Sequence, residues 1–281
     1  MPVREMAKVV SNSPVKPGYY LMELDAPKVT EEAKPGQFVH IRVGRTMDPL
    51  LRRPISLYDI DKEKGILSLL YVVVGRGTRM LSEIEAGAEL DIMGPLGNGF
   101  WLPDRATRCL VVGGGIGVAP LLPLIGMLDQ AGLEQKILYG FRNADAVVGI
   151  DVVQEKGWPL AIATDDGSVG HRGFVTDLVK QAITDFKPDY YYVCGPEVMI
   201  RNVVWLMKEA NIPGQVSLEA RMGCGVGACL ACTCKTRKRT GGQQSVTGGQ
   251  LSVAGHEQNF DYSLVCTHGP VFGAGEVIFD D

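Results

Sequence analysis

The sequence predicts a small β-barrel or sandwich, then a doubly wound parallel α/β sheet, then a small cysteine-rich unit. Three observations carry that prediction. Up to about residue 102, short strands alternating apolar with polar residues recur roughly every ten positions. From 103 to 213, strands alternate with helices. From 214 to 281 the chain holds five of its seven cysteines.

In the first stretch the strands are "MAKVVSNS", "YYLMELDAP", "QFVHIRVG", "ISLYDID", "ILSLLYVVVG" and "AELDIMGPLG". Gly, Pro, Asp and Asn punctuate them, as in a small barrel or sandwich. In the second stretch "CLVVGGG" runs into "APLLPLIGMLDQAG", where Leu121, Leu124, Ile125 and Leu128 fall at i, i+3, i+4 and i+7 on one helix face. "KILYGF", "LAIATDDG" and "YYYVCG" are further apolar strands, and the last feeds a helix in which Met199, Val203 and Leu206 share a face. Such alternation builds a parallel sheet that takes ligands at the carboxyl edge of its strands. The third stretch is too small to bury much core alone, so a bound metal would help hold it together. Its segment "TGGQQSVTGGQLS", 240–252, reads as a surface loop or partly disordered chain.

Composition excludes several classes of function. A net charge of −4 gives no reason to expect a nucleic-acid partner. The start, "MPVREMAKVV", has no apolar run of signal-peptide length, and nothing elsewhere approaches the roughly 18–20 uninterrupted apolar residues of a membrane span. A cytoplasmic protein is expected. In that reducing compartment clustered cysteines serve metals or redox chemistry rather than disulfides. The one basic run, "KTRKR" (Lys235, Arg237, Lys238, Arg239), is either a solvated loop or a steering patch for an acidic partner.

Cys224-x4-Cys229-x2-Cys232 with a distant Cys266 reproduces the plant-type ferredoxin spacing for a 2Fe-2S cluster. A zinc ribbon wants two C-x2-C pairs, and the chain has one. Gly223, Gly225 and Gly227 strip side chains from a loop that has to wrap sulfide and aim backbone N–H groups at it. Cys234 is surplus. Cys109 lies in a strand of the middle stretch, where a thiol is a small core residue by default.

A cluster moves single electrons and a nicotinamide accepts hydride, so a flavin is expected between them. In the first stretch "RRPIS" offers Arg53 as a cation for a diphosphate and Ser56 as a hydroxyl for the flavin ring. "LLYVVVGRGT" ends a strand at Gly75-x-Gly77-Thr78 and opens a helix, a phosphate-binding arrangement with a threonine cap. Taken alone, each is also a strand-edge arginine or an ordinary turn. In "VVGGGIGVAP" (Val111 to Pro120), Gly115 and Gly117 lie in the glycine turn between strand and helix, the place of a dinucleotide pyrophosphate. It is not a strict G-x-G-x-x-G, since Val118 replaces the last glycine counted from Gly113. Asp165 and Asp166 either hold a ribose or cap a turn; Cys194 either lies against the nicotinamide or is a core thiol.

Over residues 1 to about 213 the chain resembles the ferredoxin-NADP reductase superfamily. With its tail it is similar, over almost its whole length, to the electron-transfer subunits of NAD-linked (class 1B) dihydroorotate dehydrogenases. The motifs "RPIS", "VGRGT", "GGGIGVAPL", "TDDGS", "CGPE", "CGVGACLAC" and "CTHGPVF" carry the match, in that order. The resemblance implies a β-barrel FAD domain (1–102), an NAD-binding α/β domain (103–213) and a 2Fe-2S domain (214–281). It implies FAD on Arg53, Pro54, Ile55 and Ser56, on Leu70, Tyr71 and Val72, and on Gly77 and Thr78, with Cys224, Cys229, Cys232 and Cys266 as cluster ligands. It also implies a separate FMN-containing dihydroorotate dehydrogenase catalytic subunit, in a heterotetramer of two of each. Electrons would run from that FMN through cluster and FAD to NAD+, with orotate feeding pyrimidine synthesis. The loop before Cys266 is longer than the family's usual one, and "RPIS" lacks the aromatic residue that the wider superfamily places over the flavin. A barrel dehydrogenase needs about 250 residues of its own, which this chain does not have to spare, so a partner is required. Two other readings stay open: a reductase subunit of a sulfide dehydrogenase or ferredoxin:NADP oxidoreductase, and a zinc-stabilised interaction module.

Overall fold

The computed structural model describes residues 2–44, 48–238 and 260–279. The expected loop at 240–252 and Arg239 of the basic run lie outside them. The first stretch forms β1 (Val3–Lys16), β2 (Tyr19–Asp25), a short helix α1 (Pro27–Glu32), β3 (Phe38–Ile41), β4 (Arg53–Ser56), β5 (Asp59–Asp61), β6 (Ile66–Val72), α2 (Arg76–Ser82) and β7 (Glu89–Leu96). Its strands pair antiparallel in the order β4-β3-β7-β1-β2-β6-β5. The sheet curls until β4 meets β6. Met22, Leu24, Val39, Ile41, Leu67, Leu69 and Ile92 fill its interior with no exposed surface, the inward half of the predicted alternation.

The second sheet contains β8 (Arg108–Gly114), β9 (Glu134–Phe141), β10 (Leu160–Thr164), β11 (His171–Arg172), β12 (Tyr190–Cys194) and β13 (Gly214–Ser217). These pair parallel in the order β11-β10-β9-β8-β12-β13, with helices α3 (Leu122–Gln130), α4 (Asp151–Glu155), α5 (Val175–Asp185) and α6 (Glu197–Glu209) among them. The order reverses between β8 and β12, which opens a crevice there. Leu121, Leu124, Ile125 and Leu128 are all fully buried against one face, as predicted. On α6 the buried stripe is Ile200, Val203 and Met207, one position round from the expected Met199–Val203–Leu206. Met199 instead covers Gly114 and Gly195, where side chains would collide with its thioether.

The parallel sheet does not stop at residue 213. β13 extends it, and β16 (Val271–Gly273), from the cysteine-rich end, joins antiparallel to β13. Between them β14 (Thr233–Arg237) and β15 (Phe260–Leu264) pair antiparallel as a two-stranded sheet. Cys232, Leu264, Val265, Cys266 and Phe272 share one hydrophobic core with Val193, Ile200 and Val203. The small unit therefore borrows its core from the sheet beneath it, which answers the burial deficit expected from its size.

Where the chain crosses from the first sheet to the second, the buried Gln215 clamps Trp101: its Oε1 accepts from the Trp101 N–H (3.1 Å) and its Nε2 donates to the Trp101 carbonyl (2.8 Å). Tyr192 donates to the same carbonyl (3.0 Å). Gln215→Leu leaves the Trp101 N–H without its acceptor, an expected loss of about 1–3 kcal/mol. Urea unfolding of the full chain checks this, and an unchanged midpoint would show that the clamp contributes nothing.

Candidate functional site

Three groups of predicted residues come together in this frame. In the first, β4 and α2 meet. Gly77 lies in the first turn of α2, and a side chain there would run into the Arg53 guanidinium. "RRPIS" and "GRGT" are thus one feature, a cation resting on a bare turn next to Gly75, which has open space about it. Thr78 is not the cap residue; Gly75 is. The Thr78 hydroxyl reaches back to accept from the N–H groups of Val74 (3.0 Å) and Gly75 (3.2 Å) and holds the turn in shape. Arg53, Pro54 and Ser56 are half-buried while Ile55 points into the curled sheet. On β6, Leu70 packs in the seam between the two sheets, Tyr71 turns inward and donates to Asn12 Oδ1 (2.9 Å), and Val72 is half-buried. Ile55 and Tyr71 therefore offer a ligand their backbone only. Tyr58, two residues after Ser56, is buried in the seam.

The second group lies at the reversal between β8 and β12. The glycine turn does not enter α3 directly but through a 3-10 helix, Gly115–Leu121. Gly115 has open space, whereas Gly117 lies against the backbone of Gly195, so it serves the approach of two loops. Cys194 is 1% exposed, beside Ser217 and Glu219, so its thiol is a core group rather than a ligand surface. Asp166 accepts from the N–H (2.9 Å) and hydroxyl (2.6 Å) of Ser168 and closes its turn; Asp165 remains exposed. A cavity of about 480 Å³ opens at this edge, lined by Gly195, Pro196, Glu197, Glu219, Cys234 and Phe279.

The third group is the cysteine loop. The N–H groups of Val226 (3.4 Å), Ala228 (3.2 Å) and Cys229 (3.3 Å) donate to Cys224 Sγ, and the Cys224 N–H donates to Cys229 Sγ (3.4 Å). Burial works to raise the Cys224 thiol, but these donors outweigh it and bring its pKa to about 7. Cys266 lies beside Cys232, and burial together with that neighbour pushes it up to about 12. The four predicted thiols thus gather as two pairs, Cys224 with Cys229 and Cys232 with Cys266, and Cys266 also feels Cys224. Among the described residues no three or more His, Cys, Asp or Glu side chains are set to hold a metal ion at one point. A binuclear cluster divides its four thiolates over two irons, so two pairs with amide donors aimed at sulfur fit it. Cys234 stands outside, in β14. Lys235 of the basic run lies over the Phe260 ring, 5.2 Å from its centre.

One residue in this region carried no signal in the sequence. His40, in β3, is fully buried under the cysteine loop, against Gly225.

The model for the iron-sulfur cluster binding domain of dihydroorotate dehydrogenase B matches residues 219–246. A Desulforamulus reducens protein named dihydroorotate dehydrogenase B (NAD(+)), electron transfer subunit, is 41% identical over 98% of this chain and 98% of its own length. A Fusobacterium nucleatum protein of the same name is 38% identical over 97% and 98%. Among solved structures, that of an NADH-dependent reduced ferredoxin-NADP oxidoreductase superposes with a TM-score of 0.81 at 28% identity, covering 98% of this chain and 90% of that one. Among the described residues no helix is long and apolar enough to cross a membrane.

Proposed function

The chain belongs to the family of dihydroorotate dehydrogenase B (NAD+) electron transfer subunits, and from that premise we propose how its residues divide the work. It passes electrons from an FMN-containing dihydroorotate dehydrogenase catalytic subunit through a 2Fe-2S cluster and FAD to NAD+, in pyrimidine biosynthesis. When bound, the cluster carries single electrons and the flavin joins them to a two-electron carrier. Arg53 would neutralise the FAD diphosphate from its seat on Gly77, and Thr78 keeps the turn beneath it in shape. Pro54, Ser56, Leu70 and Val72, with the backbone of Ile55 and Tyr71, line the rest of that site. Cys224 and Cys229, with Cys232 and Cys266, would hold the cluster as two pairs of thiolate ligands. Gly115 leaves the strand end open to NAD, Gly117 lets the Gly195 turn close against it, and Cys194 supports that turn from beneath.

The observation that carries this reading is the two-and-two approach of the four thiols in a chain that also offers a flavin cradle and a strand-end crevice. Exposed Val226 (47%) and Leu230 (41%) flank the first pair and offer the catalytic subunit an apolar landing. The ferredoxin-NADP oxidoreductase likeness agrees with the alternative client but does not favour it, since the shared fold is common to both. We further propose a heterotetramer of two of each subunit, testable by sedimentation, in the cytoplasm, where thiols stay reduced for metal.

The test is to purify the chain with its co-expressed FMN subunit and assay dihydroorotate-dependent NADH formation. The complex should show flavin bands and a broad shoulder bleached by dithionite. A colourless, zinc-containing chain without that activity would leave only the interaction-module reading.

A further inference from the structure

Among the buried polar groups that the electron path leaves unexplained, His40 is the one that lies against the cysteine loop. It has no exposed surface, and among the described residues neither ring nitrogen has a hydrogen-bond partner of acceptable geometry. Its neighbours in β3, Phe38, Val39 and Ile41, are all apolar and buried, so packing alone would have been served by a leucine. A buried imidazole without partners is costly to keep, which points to a partner supplied in the loaded protein.

What the ring faces is specific. On one side is Gly225 of the cysteine loop, at φ +73°, where a methyl group would lie 2.6 Å from His40 Nδ1. The backbone groups within its reach are those of Cys224 and Arg52, both falling short of hydrogen-bond geometry. Of a backbone peptide only the carbonyl oxygen can accept from a ring N–H, since an amide N–H is a donor. In either protonation state an imidazole carries at least one N–H that it can donate. Arg52 is itself fixed: it donates to Asp91 Oδ2 (2.8 Å), to the Asp91 carbonyl (2.7 Å) and to the His40 carbonyl (3.3 Å). The next residue is Arg53, the cation on Gly77. One ring therefore stands between the first cysteine of the loop and the strand that carries the flavin cation.

We propose that His40 is a positioning residue for the cluster: its ring N–H donates to the cysteine loop at the Cys224 carbonyl and seats that loop on β3 and β4, beside the flavin strand. This rests on the cluster reading above and goes beyond it, because the ligands alone do not fix how the loop lies against the first sheet.

The experiment uses the full chain, purified anaerobically with FAD bound, in wild type, His40→Leu, His40→Met and His40→Asn. Leucine and methionine fill the space without a donor, and asparagine keeps an N–H near the place of Nδ1. Two properties are read: iron release to a chelator, followed at the visible absorption, and the EPR g-values of the dithionite-reduced protein. A donor-free variant should release iron roughly tenfold faster or more, as outer-shell partners of metal ligands generally do, and shift the g-values. Asparagine should restore both towards wild type. If leucine at this position prevents folding, the unbranched methionine gives the donor-free measurement. Unchanged release and g-values in the donor-free variants would overturn the proposal, as would equal changes in His40→Asn. A wild-type chain that binds no iron would sink the cluster reading itself, before any variant is compared.

Discussion

Cys229→Ser is expected to abolish dihydroorotate-dependent NADH formation by the two-subunit complex, yet to leave NADH-driven reduction of an artificial dye at the flavin largely intact. The choice of cysteine matters. Cys232 and Cys266 are buried (2% and 1%) in the core shared with the parallel sheet, so replacing either one disturbs packing as well as ligation. Cys229 is exposed, and its Sγ accepts from the Cys224 N–H. Serine keeps that acceptor and fits the loop, but its hydroxyl is a far poorer ligand for iron than a thiolate. The lesion is therefore confined to single-electron entry. The dye reaction needs only the NAD crevice and the flavin cradle, and both are built from residues of the two sheets. Loss of both activities with FAD still bound would count against the wiring. Full retention of the coupled reaction would remove Cys229 from the ligand set.

The parts of this arrangement that were legible in the sequence are those written in local pattern. Alternation gave the strands of the curled sheet, and the i, i+3, i+4, i+7 spacing gave the buried face of α3, because both periods record which side of an element meets a core. The cysteine spacing was legible for a related reason, since a cluster constrains residues close together in the chain. What stayed hidden was set by partners remote in sequence. The stripe on α6 is one position off because Met199 is drawn to two glycine turns, which no periodicity shows. β13 and β16 are runs of four and three residues with no period of their own to read, and they become strands only by pairing, β13 against β12 and β16 against β13. His40 is the clearest case: within "QFVHIRVG" it is one polar residue in a strand, and its meaning comes from Gly225, far down the chain. "RRPIS" and "GRGT" had ordinary readings when taken singly, and only the contact of Arg53 with Gly77 joins them.

That contact supports the second large effect. Gly77→Ala is expected to strip FAD from the protein without unfolding it. The added methyl would occupy the place of the Arg53 Nε, and the other atoms in its way belong to the same guanidinium. A guanidinium is the far end of a flexible side chain, so it moves aside and the backbone does not. On the proposed placement of FAD, the cation is then displaced from the diphosphate. A charge-assisted hydrogen bond contributes about 1.5–3 kcal/mol, which is a weakening of roughly 10- to 150-fold in FAD affinity. Arg53→Ala should produce the same loss. Because the two changes remove one interaction, the double variant should be hardly worse than either single one, a non-additivity expected only of groups in contact. Gly126→Ala is the control: it lies in α3 with open space around its Cα, so FAD binding should stay at the wild-type level. Flavin retained after gel filtration and fluorescence titration of the stripped protein measure all four. Additive losses in the double variant would separate Gly77 from Arg53, and wild-type affinity in Arg53→Ala would move the diphosphate away from this strand.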